Sequence, residues 1–131
     1  MAALGTVSPR ILVVDDDAMV ADSIRRMLLF DRYEVEIAGN AEEALAAFAK
    51  SAFDLTLLDY EMPKMKGDQL AIALKAISPD HPVVMFTGYA EAVGGADIPL
   101  KGVDLVLGKP FDLEQLRRTL ARFLPPRLKQ G

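Results

Sequence analysis

Runs of Val, Leu, Ile, Met and Phe recur along the chain at residues 11–14, 35–38, 55–58, 83–86 and 105–107. All but the second are nearly continuous, as strands covered on both faces are, whereas Glu34-Val35-Glu36-Ile37 alternates like a half-covered one. The pattern predicts a parallel sheet with an edge. Between the runs the apolar positions switch to helical spacing: Val20, Ile24, Met27 and Leu28; Ala41, Leu45 and Phe48; Leu70, Ala73, Leu74 and Ile77; Leu113, Leu116, Leu120 and Phe123. Asn40 with Glu43 and Asp112 with Gln115 read as capping boxes, with Phe111 and Leu116 at hydrophobic-staple positions. Asp17 stands where it would cap the first helix.

One link departs from the alternation. Residues 90–102 carry Gly94, Gly95 and Pro99, and each of these costs a helix interior about 1 to 3 kcal/mol. The fourth helix is therefore expected to be short or irregular. Strand–helix alternation with right-handed crossovers predicts an α/β fold: a doubly wound, five-stranded parallel sheet with helices on both faces.

Composition narrows the chemistry. At 131 residues the chain suits one compact domain, expected over residues 8–124, with loose tails at 1–7 and 125–131. Zero cysteines exclude disulfides, thiolate metal clusters and a cysteine nucleophile, and a single histidine leaves little for zinc. Any metal must be held by oxygen. The net charge of −4 lacks the positive excess that sequence-independent nucleic-acid binding requires. No apolar run approaches the roughly 20 residues of a membrane span, and the start lacks the pattern of a secretion signal. A cytoplasmic location is expected, without direct nucleic-acid contact or membrane insertion.

In doubly wound sheets the reactive groups lie outside the carboxyl ends of the strands. There the first strand runs into Asp15-Asp16-Asp17, the third ends at Asp59, the fourth at Thr87, and the fifth just before Lys109-Pro110. Two carboxylates about 5 Å apart repel by roughly 3 kcal/mol at an effective dielectric of about 20, which a cation relieves. An all-oxygen site of this kind suits Mg²⁺. A carboxylate beside a metal, a hydroxyl and an ammonium is what phosphoryl transfer to an acid needs. Asp59, alone at its strand end, is the candidate acceptor; Asp15 and Asp16 are better placed to hold metal.

These pieces resemble the receiver domains of bacterial two-component response regulators. The matching segments are Ile11-Leu12-Val13-Val14-Asp15-Asp16-Asp17, Leu57-Leu58-Asp59-Tyr60-Glu61-Met62-Pro63 leading to Gly67, Phe86-Thr87-Gly88 and Lys109-Pro110-Phe111. Asp16, Asp59, Thr87 and Lys109 follow one another at intervals of 43, 28 and 22 residues, in family order. The likeness runs from about Arg10 to Leu124. It implies the flavodoxin-like strand order 2-1-3-4-5 and phosphorylation at Asp59. It further implies metal ligation by Asp16, by Asp15 partly through water, by Asp59 and by the Glu61 carbonyl. Thr87 matches the family's switch hydroxyl, Lys109 its phosphate-pairing ammonium, and Lys109-Pro110 a peptide bond that is usually cis.

The function so implied is that of a single-domain, phospho-accepting signalling protein, not an enzyme acting on a separate substrate. It would receive a phosphoryl group from a histidine kinase or phosphotransfer protein in a Mg²⁺-dependent reaction. The signal would leave by contact with a downstream protein, through residues 90–102, the fifth strand and the last helix. Homodimerisation is left open. The alternative is a phosphorylation-independent binding module on the same fold, although intact Asp15, Asp16, Asp59, Thr87 and Lys109 argue against it. A flavin site is rejected because three aspartates after the first strand would repel a phosphate. One departure from the family is Val106, where members commonly carry Tyr or Phe. Output is therefore expected to rest on reordering of the segment 90–102, while Tyr89 and Glu61 shape phosphate loss. His81 reads as a solvated loop residue, the methionines Met19, Met27, Met62, Met65 and Met85 as packing, and Arg117, Arg118 and Arg122 as a solvated helix face.

Overall fold

The computed structural model describes residues 8–88 and 101–124. Five strands, β1 (Arg10–Val14), β2 (Glu34–Ala38), β3 (Leu55–Asp59), β4 (Val83–Thr87) and β5 (Leu105–Gly108), form one parallel sheet in the order β2-β1-β3-β4-β5. The described helices are α1 (Ala18–Phe30), α2 (Ala41–Lys50), α3 (Gly67–Ile77) and α4 (Leu113–Ala121). The fold class and strand order are as expected. The predicted tails and most of the segment 90–102, with Tyr89 beside it, lie outside the described residues.

Period-two alternation divides the strand side chains between two cores. Ile11, Val13, Leu55, Leu57, Val84 and Phe86 pack with α1 and α4 through Ile24, Leu28, Leu116 and Leu120. On the opposite face Leu12, Val14, Leu58, Val83 and Met85 pack with α2 and α3 through Ala44, Leu70 and Leu74. β1, β3 and β4 are covered on both sides, which is why they read as continuous apolar runs. β2, at one edge, exposes Glu34 as its alternation foretold, whereas Ile37, expected on the covered face, is exposed as well because the edge strand is only partly overlaid.

The helix starts follow the local chemistry. The Asp17 carboxylate accepts the N–H groups of Met19 and Val20. Asp112 and Gln115 form a reciprocal capping box, and Phe111 and Leu116 meet in the same cluster. At α2 the pattern is shifted by one residue: Asn40 accepts from the Glu43 N–H, but the Glu43 carboxylate accepts from the Gly39 N–H rather than that of Asn40. Arg117 forms two bonds to the Asp31 carboxylate, at 2.7 and 2.8 Å, tying α4 to the end of α1.

Two expectations are corrected. His81 is buried, 5 % exposed, with Nε2 2.8 Å from Thr56 Oγ1 and its ring edge-on to Phe48. The Asp80-His81-Pro82 setting suggested a solvated turn, but α2 brings Phe48 over it. Met19, expected to pack, is 80 % exposed, because it lies on the side of the first turn of α1 turned away from the sheet.

Candidate functional site

Backbone pairing carries the strand ends to a common rim. Tyr60 N–H donates to the Phe86 carbonyl, Lys109 N–H to that of Thr87, and Asp15 N–H to that of Ala38. Asp15, Asp59, Thr87 and Lys109, from four segments, are thereby held side by side. One carboxylate oxygen from each of Asp15, Asp16 and Asp59 lies within 4.8 Å of the others. Lys109 Nζ is 3.2 Å from Asp59 Oδ1. The Lys109-Pro110 peptide is cis, as expected.

The carboxylates differ in setting. Asp15 and Asp59 are buried and Asp16 is exposed. Asp15 Oδ1 accepts the Asp17 N–H at 2.9 Å, whereas Oδ2 is buried and accepts no hydrogen bond among the described residues. Burial first, and then the charge of Asp15, push the Asp59 carboxyl up to about 7 from its ordinary 3.8; the hydrogen bond and charge of Lys109 pull the other way, and Glu61 adds to the rise. Asp15 is raised as well, chiefly by burial and secondarily by its acidic neighbours Asp16 and Asp17, against the Asp17 N–H and Lys109.

This arrangement fits a hard divalent cation. Its donors are all oxygen, two of its carboxyls are raised by crowding and burial, and one buried oxygen is left with an unused acceptor. Asp15, Asp16 and Asp59 converge as the reading of the strand ends required. Thr87 ends β4 beside Lys109, fully buried.

Two features of the site go beyond what Glu61 and Gly67 showed as members of the matching segment. The Thr87 hydroxyl donates to Glu61 Oε2, so this side chain as well as its backbone belongs to the site. An acidic residue two positions past a strand-end aspartate was the available signal. The second is Gly67 at the start of α3. The loop turns back at Lys64, which takes a left-handed backbone with φ 70°, and brings Gly67 against β3. A Cβ on Gly67 would lie 2.6 Å from the Asp59 carbonyl oxygen and 2.9 Å from Tyr60 Cα. Only glycine permits that approach.

Comparison with known proteins agrees with this geometry. Residues 11–121 match the family model for the response regulator receiver domain. The chain is 41 % identical over 113 residues to the response regulator MprA of Mycobacterium bovis, covering 84 % of this chain and 48 % of that protein. It thus spans about half the length of this curated relative. Among solved structures, the response regulator TrrA of Thermotoga maritima, in complex with Mg²⁺–BeF, superposes with a TM-score of 0.81 at 30 % identity, covering 88 % of this chain and 99 % of that one. A CheY-like receiver domain protein of Methanospirillum hungatei gives a TM-score of 0.77 at 32 % identity, covering 88 % and 93 %. With its five-stranded fold, its acidic rim and a family match over nearly its whole length, the chain belongs to the response regulator receiver domains.

Proposed function

We propose that Asp59 accepts a phosphoryl group from a phosphohistidine donor, a histidine kinase or phosphotransfer protein, in a reaction that requires Mg²⁺. The observation that carries this reading is the buried Asp59 carboxylate held between the Lys109 ammonium and the carboxylates of Asp15 and Asp16. Asp15, Asp16, Asp59 and the Glu61 carbonyl would hold the cation, which when bound neutralises charge on the transferring group. One Asp59 oxygen forms the new bond to phosphorus as the bond from phosphorus to the donor imidazole breaks. The imidazole nitrogen keeps that electron pair and takes a proton from solvent. Lys109 pairs with a phosphoryl oxygen, and Thr87 donates its hydroxyl to another.

The product replaces the single charge of the Asp59 carboxylate with a phosphoryl group carrying nearly two, set further out on an already acidic rim, so the surrounding side chains rearrange and the surface changes. That change is read by a downstream protein. A cytoplasmic setting suits the reading, and among the described residues no helix is long and apolar enough to cross a membrane.

The test is intact-protein mass spectrometry after incubation with Mg²⁺ and acetyl phosphate. The wild type gains one phosphoryl group and Asp59→Asn gains none. Equal labelling of the two would refute the assignment.

A further inference from the structure

Thr87 and Glu61 come from different strand ends, yet the Thr87 hydroxyl donates to Glu61 Oε2. The Glu61 backbone N–H in turn faces Asp59 Oδ1 at 3.4 Å, so the residue borders the acceptor through its main chain and holds the hydroxyl through its side chain. Under the proposed function the same Thr87 hydroxyl would donate to an oxygen of a phosphoryl group on Asp59. Both acceptors are anionic, and one hydroxyl proton serves one of them well at a time.

We propose that Glu61 is a resident competitor for the Thr87 hydroxyl, one that must be displaced before Thr87 can engage a phosphoryl group on Asp59. This rests on the acceptor role of Asp59 and adds a regulatory residue to it. With the hydroxyl occupied by Glu61, the unphosphorylated arrangement is held by a charge-assisted hydrogen bond. An incoming dianionic group both competes for the hydroxyl and repels the Glu61 carboxylate. The strength of the Glu61–Thr87 contact therefore sets how readily the domain takes up the phosphorylated arrangement.

The probe is beryllofluoride, a noncovalent phosphoryl analogue, titrated with saturating Mg²⁺ into the wild type, Glu61→Ala, Glu61→Gln, Thr87→Val and the two double variants. Folding of each is checked by thermal melting. Glu61→Ala is expected to tighten beryllofluoride binding about tenfold, the scale of a charge-assisted hydrogen bond. Glu61→Gln, which retains an acceptor oxygen, should give a smaller gain. In the Thr87→Val background the gain from Glu61→Ala should shrink to about threefold, the part that comes from charge repulsion alone.

A gain of equal size in both backgrounds, or no gain at all, overturns the proposal. If Glu61→Ala does not fold, the same cycle with Glu61→Gln decides by the same criteria. In the metal-free protein, without any analogue, the Thr87 methyl resonance should move on Glu61→Ala, and an unchanged resonance counts against the contact. Absence of acetyl phosphate labelling at wild-type Asp59 would instead overturn the acceptor role, so the two failures are separately visible.

Discussion

The Lys109 ammonium lies 3.2 Å from the Asp59 carboxylate, with the lysine side chain 29 % exposed and the aspartate 4 %. The pair is one-sided: water still reaches the cation while the anion is buried. Removing the cation leaves a buried carboxylate without its nearest positive charge, which is more disruptive than losing an exposed ion pair. Lys109→Met should slow acetyl phosphate labelling of Asp59 by about a hundredfold, as loss of one transition-state charge partner does. Initial rates by mass spectrometry at saturating Mg²⁺ provide the measurement.

The acidic rim predicts an unusual dependence of stability on pH. Asp59 titrates at about 7 in the folded chain, above its ordinary 3.8, so between these values the folded state holds more protons than the unfolded state. Its contribution to stability is present below the ordinary value and lost as pH rises through about 7; Asp15, also raised, acts in the same direction. In chelator-treated protein, urea midpoints should fall over that range, and Asp59→Asn should flatten the decline. Mg²⁺ should offset it near neutrality, adding about 2.7 kcal/mol at a hundredfold excess over its dissociation constant.

At the opposite pole the sign is reversed. Burial first, then the charge of Lys75, lower the His81 value from 6.5, while Asp54 and Asp104 pull it upward. The neutral ring bound to Thr56 contributes stability that is present above the ordinary 6.5 and is lost as pH falls from there through the lowered value of the folded state. His81→Ala should destabilise the domain by about 2 kcal/mol at pH 8, since it strands a buried hydroxyl. The gap between variant and wild type should narrow on acidification, as followed by denaturant unfolding.

Gly67→Ala tests the close approach of α3 to the acceptor strand. An alanine in an exposed helix gains up to about 1 kcal/mol over glycine. Here the added methyl meets backbone at 2.6 Å from the Asp59 carbonyl oxygen, and overpacking of this kind costs about 1 to 3 kcal/mol. The expected result is a lower melting temperature together with slower labelling, because the strain falls on the residue that carries the acceptor. A rise in melting temperature would show that the loop yields without disturbing Asp59.

Much of this molecule was legible residue by residue. Continuous apolar runs marked β1, β3 and β4, alternation marked the edge strand β2, and Asp17, Asn40 and Asp112 marked three helix starts. The strand-end positions of Asp15, Asp59, Thr87 and Lys109 followed from the same reading, because a parallel sheet brings the carboxyl ends of its strands to one rim. These are consequences of local periodicity and of topology, both of which are written into the order of residues along the chain.

What the sequence left undecided depends on side chains brought together from segments far apart. His81 looks like part of a turn until α2 places Phe48 over it and β3 offers it the Thr56 hydroxyl. Glu61 is a loop acid until the pairing of β3 with β4 sets it against Thr87, and Gly67 is a helix-starting glycine until the loop folds it onto the Asp59 carbonyl. Periodicity tells a residue which way to face along its own element. Only the packed chain determines what it meets there, since that depends on distances of a few ångströms between backbones that share no local signal.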